Sequence, residues 1–272
     1  TQLSTLTTEE GLPSNSVYSL LYEPQNGTLL MGTEKGLYRF DGYEYQYIDG
    51  AKHPYIMMDN LLRDATGTIW CQDYRGNAYQ LADDILVPRN IAGVGRFKLL
   101  TLDPSGNIWA LCHKGLAKWQ PSKDHWQTFP IDAESFPATL HFEFHGDSII
   151  LNNRQKHLQV FRPETAEYIQ KAIPLPADDH DFIVFNNQMY IWKRGGGTVF
   201  HRTTQGELNV PAGLEMHQIA TASEYRNTPG FGAWFGANNG LYRQLPDSSW
   251  QHFTTNWVTD VALDEEGTLW VS

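Results

Sequence analysis

Apolar and polar residues alternate in short runs along this chain, and the runs return at a nearly fixed interval. The clearest stretch is Thr28-Leu29-Leu30-Met31-Gly32-Thr33-Glu34-Lys35-Gly36-Leu37-Tyr38-Arg39-Phe40. Two alternating segments joined at a glycine read as a β-hairpin, because side chains two apart share one face of a strand. Taking the large apolar residue six positions before the hairpin glycine as a register mark gives Leu30, Trp70, Trp109, Ile149, Tyr190, Trp234 and Trp270, spaced by 40, 39, 40, 41, 44 and 36 residues. A strand-forming period near forty is that of four-stranded blades stacked around an axis. The chain is therefore expected to be all-β: a seven-bladed β-propeller of four-stranded antiparallel blades, forming a single domain over residues 1–272.

Each unit predicts strand a, a turn of the form Asp-x-x-Gly, strand b running through the mark, a b–c hairpin, strand c and strand d. In the third unit these fall at 97–102, Asp103-Pro104-Ser105-Gly106, 108–111, His113-Lys114-Gly115, 116–119 and 126–129. Aspartate and proline open such turns, and glycine supplies the positive φ that closes them. The turn returns as Asp64-Ala65-Thr66-Gly67, Glu143-Phe144-His145-Gly146 and Asp264-Glu265-Glu266-Gly267, and one residue longer at 23–27. Leu3-Ser4-Thr5-Leu6 matches strand d of the sixth unit, Trp250-Gln251-His252-Phe253. The N-terminal strand is thus expected to complete the last blade, whose strand c is missing at the C-terminus. Closure of that kind removes an open sheet edge. The chain then reads as a fragment of a longer polypeptide.

Composition narrows the function classes. Hydrophobic residues at 41 % and aromatic ones at 13 % suffice for a core, and 23 Gly and 14 Pro suit a turn-rich β chain. A net charge of −11 argues against nucleic acid or an anionic membrane as partner, since those need a basic footprint. Cys71 and Cys112 occupy non-equivalent repeat positions and are not expected to pair. No apolar run reaches the roughly 20 residues of a membrane span, so any membrane contact lies in segments outside this chain.

Two patterns carry a family resemblance: Gly11-Leu12-Pro13-Ser14-Asn15-Ser16-Val17, and Gly32-Thr33-Glu34-Lys35-Gly36-Leu37-Tyr38-Arg39-Phe40-Asp41-Gly42. Together they resemble the two-component-regulator propeller repeat, with Leu30 in place of the usual Trp. Parts of the pattern return at Gly67-Thr68-Ile69-Trp70, Gly106-Asn107-Ile108-Trp109 and Gly267-Thr268-Leu269-Trp270, while the fourth and fifth units depart most. The resemblance implies the periplasmic sensor domain of a bacterial hybrid histidine-kinase receptor, binding an oligosaccharide without turnover. The partners implied are that ligand and the downstream signalling modules of the same polypeptide, with a homodimer as a further alternative.

The candidate ligand site lies in the b–c hairpins, which share a face with the d–a connections around the channel mouth. Lys35, Arg75, Lys114, Arg154, Lys156, Lys193 and Arg194 stand there against Glu34 and Asp73, seven positive charges against two. Tyr74, His113, His157 and Trp192 add stacking faces and hydrogen-bonding groups. Such a face would attract carboxylated or sulfated ligands; the alternative is that these are ordinary solvated turns. Trp70, Trp109, Trp234 and Trp270 recur at the register mark and are expected in the core. Gly195-Gly196-Gly197 opens onto no helix and reads as a hairpin rather than a phosphate cradle. His141, Glu143 and His145 alternate like metal ligands, but the repeat puts Glu143 and His145 in a turn. No catalytic grouping, metal or cofactor is expected. A propeller lyase or lactonase is the enzyme alternative, and a protein-interaction scaffold the third.

Overall fold

The computed structural model describes residues 5–48, 56–91, 96–113, 115–130, 141–152, 157–174, 180–185, 188–193, 199–202, 208–209, 219–224, 233–247, 249–254 and 256–272. The first sheet pairs Val17–Glu23, Thr28–Thr33, Gly36–Phe40 and Tyr45–Tyr47 in sequence order, all antiparallel. Five more four-stranded sheets of the same order follow, over 58–88, 97–130, 141–174, 180–209 and 219–254. A two-stranded sheet, Val261–Leu263 with Val271 closing Leu269–Val271, comes last. The first strands of the first, second and third sheets lie beside one another in order, as do those of the fourth, fifth and sixth, and that of the last sheet lies beside that of the first, so these strands face the axis.

The expectation of seven four-stranded blades is overturned. Among the described residues six sheets have a blade's four strands, and the last has two. Of the segment expected to complete it, Thr5, Leu6 and Thr7 form no strand, and the rest lies outside the described residues. The reason is local. Thr7 caps the short 3-10 helix Thr8–Glu10, with its side chain accepting from the Glu9 N–H and the Glu10 carboxylate accepting from the Thr7 N–H. That turn takes the chain out of extended geometry before it reaches the ring.

What holds is the register. Leu30, Trp70, Trp109, Ile149, Tyr190, Trp234 and Trp270 all fall on the second strand of their sheets. Side chains of alternate strand positions then interlock between sheets. Leu30 packs with Cys71 and Tyr79 of the second sheet, Trp70 with Ala110 and Trp119 of the third, and Trp109 with Phe142 and Leu151 of the fourth. Phe182 and Ile191 meet Ile150 and Leu158, and Tyr190 meets Phe235 and Trp250. Trp234 meets Val258 and Val261, while Ala262 and Trp270 close against Leu29 and Phe40 of the first sheet. Trp70 and Trp109 are almost fully buried, and removing such a side chain costs about 3–5 kcal/mol. Cys71 and Cys112 are buried free thiols in this core. Burial, and then the charge of Asp73, pushes the Cys71 thiol up to about 12.

The turn expected at Glu143-Phe144-His145-Gly146 is also corrected. Strand His141–His145 runs on to pair His145 with Ser148, leaving a two-residue turn at Gly146 and Asp147 with Gly146 at φ 58°. The three residues thus do occupy alternate positions of one strand. Among the described residues no group of three metal-ligating side chains comes together. No helix among them is long and apolar enough to cross a membrane.

Candidate functional site

The b–c hairpins and the entries of the first strands are stitched to one another by backbone hydrogen bonds. Glu34 N–H donates to Ser16, Tyr74 N–H to Met57, Phe97 N–H to Gly76 and Val258 N–H to Ala237. At the first hairpin, Ser14 is 1 % exposed, accepts from the Ser16 N–H and donates to the Glu34 carboxylate at 2.8 Å, while Leu12 is buried under the sheet. The Gly11 to Ser16 signature is therefore a structural clamp. Lys35 is exposed but donates to the Pro13 carbonyl at 3.0 Å, which ties it to that clamp.

The second hairpin opens to solvent at Tyr74 and Arg75. Asp73 turns inward and accepts from the Asn77 backbone, the Asn77 amide and the Tyr79 hydroxyl. Tyr74 is 57 % exposed, and Arg75 lies over its ring, with Nε donating to its hydroxyl at 3.1 Å. In the third hairpin His113 is exposed. Lys114, Arg154, Lys156 and Arg194 lie outside the described residues. His157 and Lys193 are placed at strand ends, in His157–Arg162 and Gln188–Lys193.

Trp192 does not reach a surface. It is 6 % exposed and belongs to the cluster of Tyr190, Phe235 and Trp250. Two positions beyond the mark is the same face of the strand, so the same core receives it.

A second repeated device was not read from the sequence. Trp70 donates its indole N–H to Asp64, Trp109 to Asp103 and Trp270 to Asp264, each at 3.0 Å and each across six residues. Lys118 completes the second of these pairs, 3.3 Å from Asp103 and over the Trp109 ring. Burial alone would raise the Asp103 carboxyl, but bonds from the Asn107 side chain and backbone and from Trp109, with the Lys118 charge, together hold it below the ordinary range. In the first sheet the Leu30 side chain has no donor, and Glu23 at the turn instead receives Arg39 at 2.7 Å. Arg39 also reaches Asp84, and these groups line a polar cleft of about 490 Å³ at the turn end of the first two sheets, away from the hairpins.

Sequence reasoning also missed Trp257. It is 68 % exposed, in the connection leading into the last sheet. Its signal was its place off the register in a polar segment, Thr254-Thr255-Asn256. Near it, the first strands bulge at their entries, between Val17 and Ser19, between Asp59 and Leu62, and opposite Leu111 and Cys112. In the last sheet Ser272 bonds both Thr259 and Asp260. Such bulges re-aim side chains at rims. Asp59 sits in one of them, open to solvent yet enclosed enough that burial pushes its carboxyl up against an opposing bond from the Asn60 N–H.

No family profile matches this chain, and no curated protein does. Among solved structures it is similar to the extracellular domain of BT3049, assigned to a hybrid two component system, from B. thetaiotaomicron. The two are 15 % identical with a TM-score of 0.73, over 98 % of this chain and 40 % of that one. This chain therefore spans less than half of that protein's length. A streptogramin B lyase is 13 % identical with a TM-score of 0.67, over 96 % and 91 % of the two chains. YCF48 from Cyanidioschyzon merolae is 11 % identical with a TM-score of 0.67, over 96 % and 94 %. At these identities the likeness is one of architecture, and it agrees with the sheets described above: the chain is an all-β propeller.

Proposed function

We propose that this propeller is the ligand-sensing module of a bacterial two-component receptor, working outside the cytoplasm and binding an oligosaccharide without turning it over. The observation that carries this reading is the gathering of exposed aromatic and cationic groups, Tyr74, Arg75, His113, Arg96 and Trp257, at the hairpin end of the sheets. Aromatic faces and charge-assisted donors together suit a hydroxylated ring bearing acidic groups. Likeness over nearly the whole chain to an extracellular two-component domain supports the role. The likeness to a lyase keeps catalysis as the second reading. Against it stand the recurrent carboxylates Asp64, Asp103 and Asp264, each engaged by an indole rather than presented to a ligand.

The test is calorimetric titration with an acidic oligosaccharide and its neutral counterpart, at low and physiological salt, with mass spectrometry of the recovered sugar. The acidic form should bind more tightly, with the gap shrinking as salt rises. Arg75→Ala should weaken it about ten-fold, the low end for a lost charged hydrogen bond. Chemical conversion of the sugar would replace the sensing reading with an enzymatic one.

A further inference from the structure

The first strands have a common numbering that locates their rim. Leu21, Leu62, Thr101 and Ala262 pair with the register marks of the first, second, third and last sheets. Counting five residues back from each gives Ser16, Met57, Arg96 and Trp257; counting three back gives Tyr18, Asp59, Lys98 and Thr259. The first three strands carry a bulge within this stretch, and in the last sheet Ser272 bonds across to both Thr259 and Asp260, which aligns the counts. These are the residues at which the strands around the axis begin, two tiers deep, on the hairpin side.

The fold asks for no aromatic at the upper tier, because serine, methionine and arginine fill it elsewhere. Trp257 nevertheless stands there with 68 % of its surface in solvent, unlike Trp70, Trp109, Trp192 and Trp234, which the core buries. Arg96 is exposed at the same tier of the third sheet, and Lys98 lies half-buried directly below it. An exposed indole on the last sheet and an exposed guanidinium at the same tier of the third offer an apolar face and a charge-assisted donor at one rim.

We infer that the channel rim is the ligand site, with Trp257 as the platform for a sugar ring and Arg96 as the anchor for the carboxylate or sulfate of an acidic oligosaccharide. This rests on the sensing reading, deepens it, and moves the binding centre from the hairpin tips to the strand entries. Asp59, on the second sheet between Trp257 and Arg96, sets a limit on charge density. A ligand with one acidic group per ring or fewer fits this rim better than a densely sulfated one.

The experiment titrates the protein with an oligogalacturonate and with its methyl-esterified, neutral form, alongside the variants Trp257→Ala, Trp257→Phe, Arg96→Ala and Arg75→Ala. Iodide quenching of tryptophan fluorescence reads Trp257 directly, as a markedly exposed indole. Trp257→Ala should weaken both sugars about ten-fold or more, and Trp257→Phe should keep them within about three-fold. Arg96→Ala should weaken the acidic form alone, and saturating sugar should shield Trp257 from iodide. Far-ultraviolet spectra and thermal midpoints of the variants should match the parent, since the substituted side chains are exposed. If Arg75→Ala abolishes binding while the rim variants bind normally, the rim is wrong and the sensing reading stands. If the sugar binds at the rim but is cleaved, sensing fails and the rim stands. No binding of oligogalacturonate, with iodide access to Trp257 unchanged, overturns the ligand class.

Discussion

Trp109 hands its indole N–H to an aspartate that also caps its own turn through Ser105 and Asn107. One carboxylate thereby fixes a turn, orients a core aromatic and pairs with Lys118. Asp103→Ala should cost about 1–3 kcal/mol in urea unfolding at neutral pH, the range for stranding partly buried donors. The pH dependence follows from the sign of the shift. Asp103 has its carboxyl held below the ordinary range, so its contribution is present above the unfolded pKa near 4 and is lost as pH falls through the lower folded value. Asp59 is the reverse: raised by burial, its contribution is present below the unfolded pKa and lost as pH rises through the folded one. Asp59→Asn should therefore gain stability at neutral pH, while Asp103→Asn loses it there and flattens the acid limb. A pH series of unfolding midpoints in which both asparagine variants move the same way would refute this assignment. Both members of the Asp–Trp pairs were visible in the sequence at a constant spacing. Their bond was not, because the turn role already accounted for the aspartate and the core role for the tryptophan.

At the scale of elements, short apolar runs at a fixed interval made the strands legible, since the second strands are buried on both faces, alternate positions packing against opposite neighbouring sheets. The hairpins were legible as turns but not as sites. Their charges divide between inward partners, as at Asp73 and Glu34, and exposed ones such as Arg75, and a charge count along the chain does not separate the two. Trp192 failed for a related reason: its neighbour in sequence is a hairpin, but its strand face is the core. The bulges were not legible at all, because an extra residue in one strand shows only against its partner. The second hairpin gives an element-scale prediction. Gly76 has φ +79°, and an added Cβ would lie 2.5 Å from the Phe97 carbonyl, whose own N–H bonds to Gly76. Gly76→Ala should destabilise by more than about 1 kcal/mol through strain at positive φ and loss of that close approach. Since the strained contact reaches the third sheet, hydrogen exchange should rise at Phe97 and Cys112 before the first sheet responds. Exchange unchanged at these amides would show that the hairpin and its neighbour are not coupled.

At the scale of the whole molecule, repetition made the propeller legible, and the chain ends made its completion hard to read. A match between Leu3–Leu6 and strand d of the sixth unit looked like closure, yet Thr5 and Leu6 form no strand and Thr7, next to them, caps a 3-10 turn. The last sheet meets the first in another way. Asp260 accepts from the Ser19 hydroxyl at 3.0 Å and the Leu20 N–H at 2.8 Å, and the Thr259 hydroxyl donates to the Val17 carbonyl. Ser19 in turn accepts from the Leu61 N–H, passing the contact to the second sheet.

That seam has a kinetic meaning. Ser19 and Asp260 are 241 residues apart in the chain, so bringing them together in a flexible chain costs about 5 kcal/mol of closure entropy beyond the constant term. Neighbouring strands, by contrast, pair across a few residues. Sheets should form locally first and the circle should join last, after the rate-limiting barrier, because contacts of long sequence separation are rewarded only once the intervening chain is ordered. Asp260→Ala should then speed unfolding by the full loss in stability while leaving the refolding rate within about two-fold, a division that chevron kinetics resolves. During synthesis, the first sheet would emerge long before its partner across the seam and wait with Ser19 and Leu20 unmatched. The propeller becomes a ring only when the far end of the chain arrives.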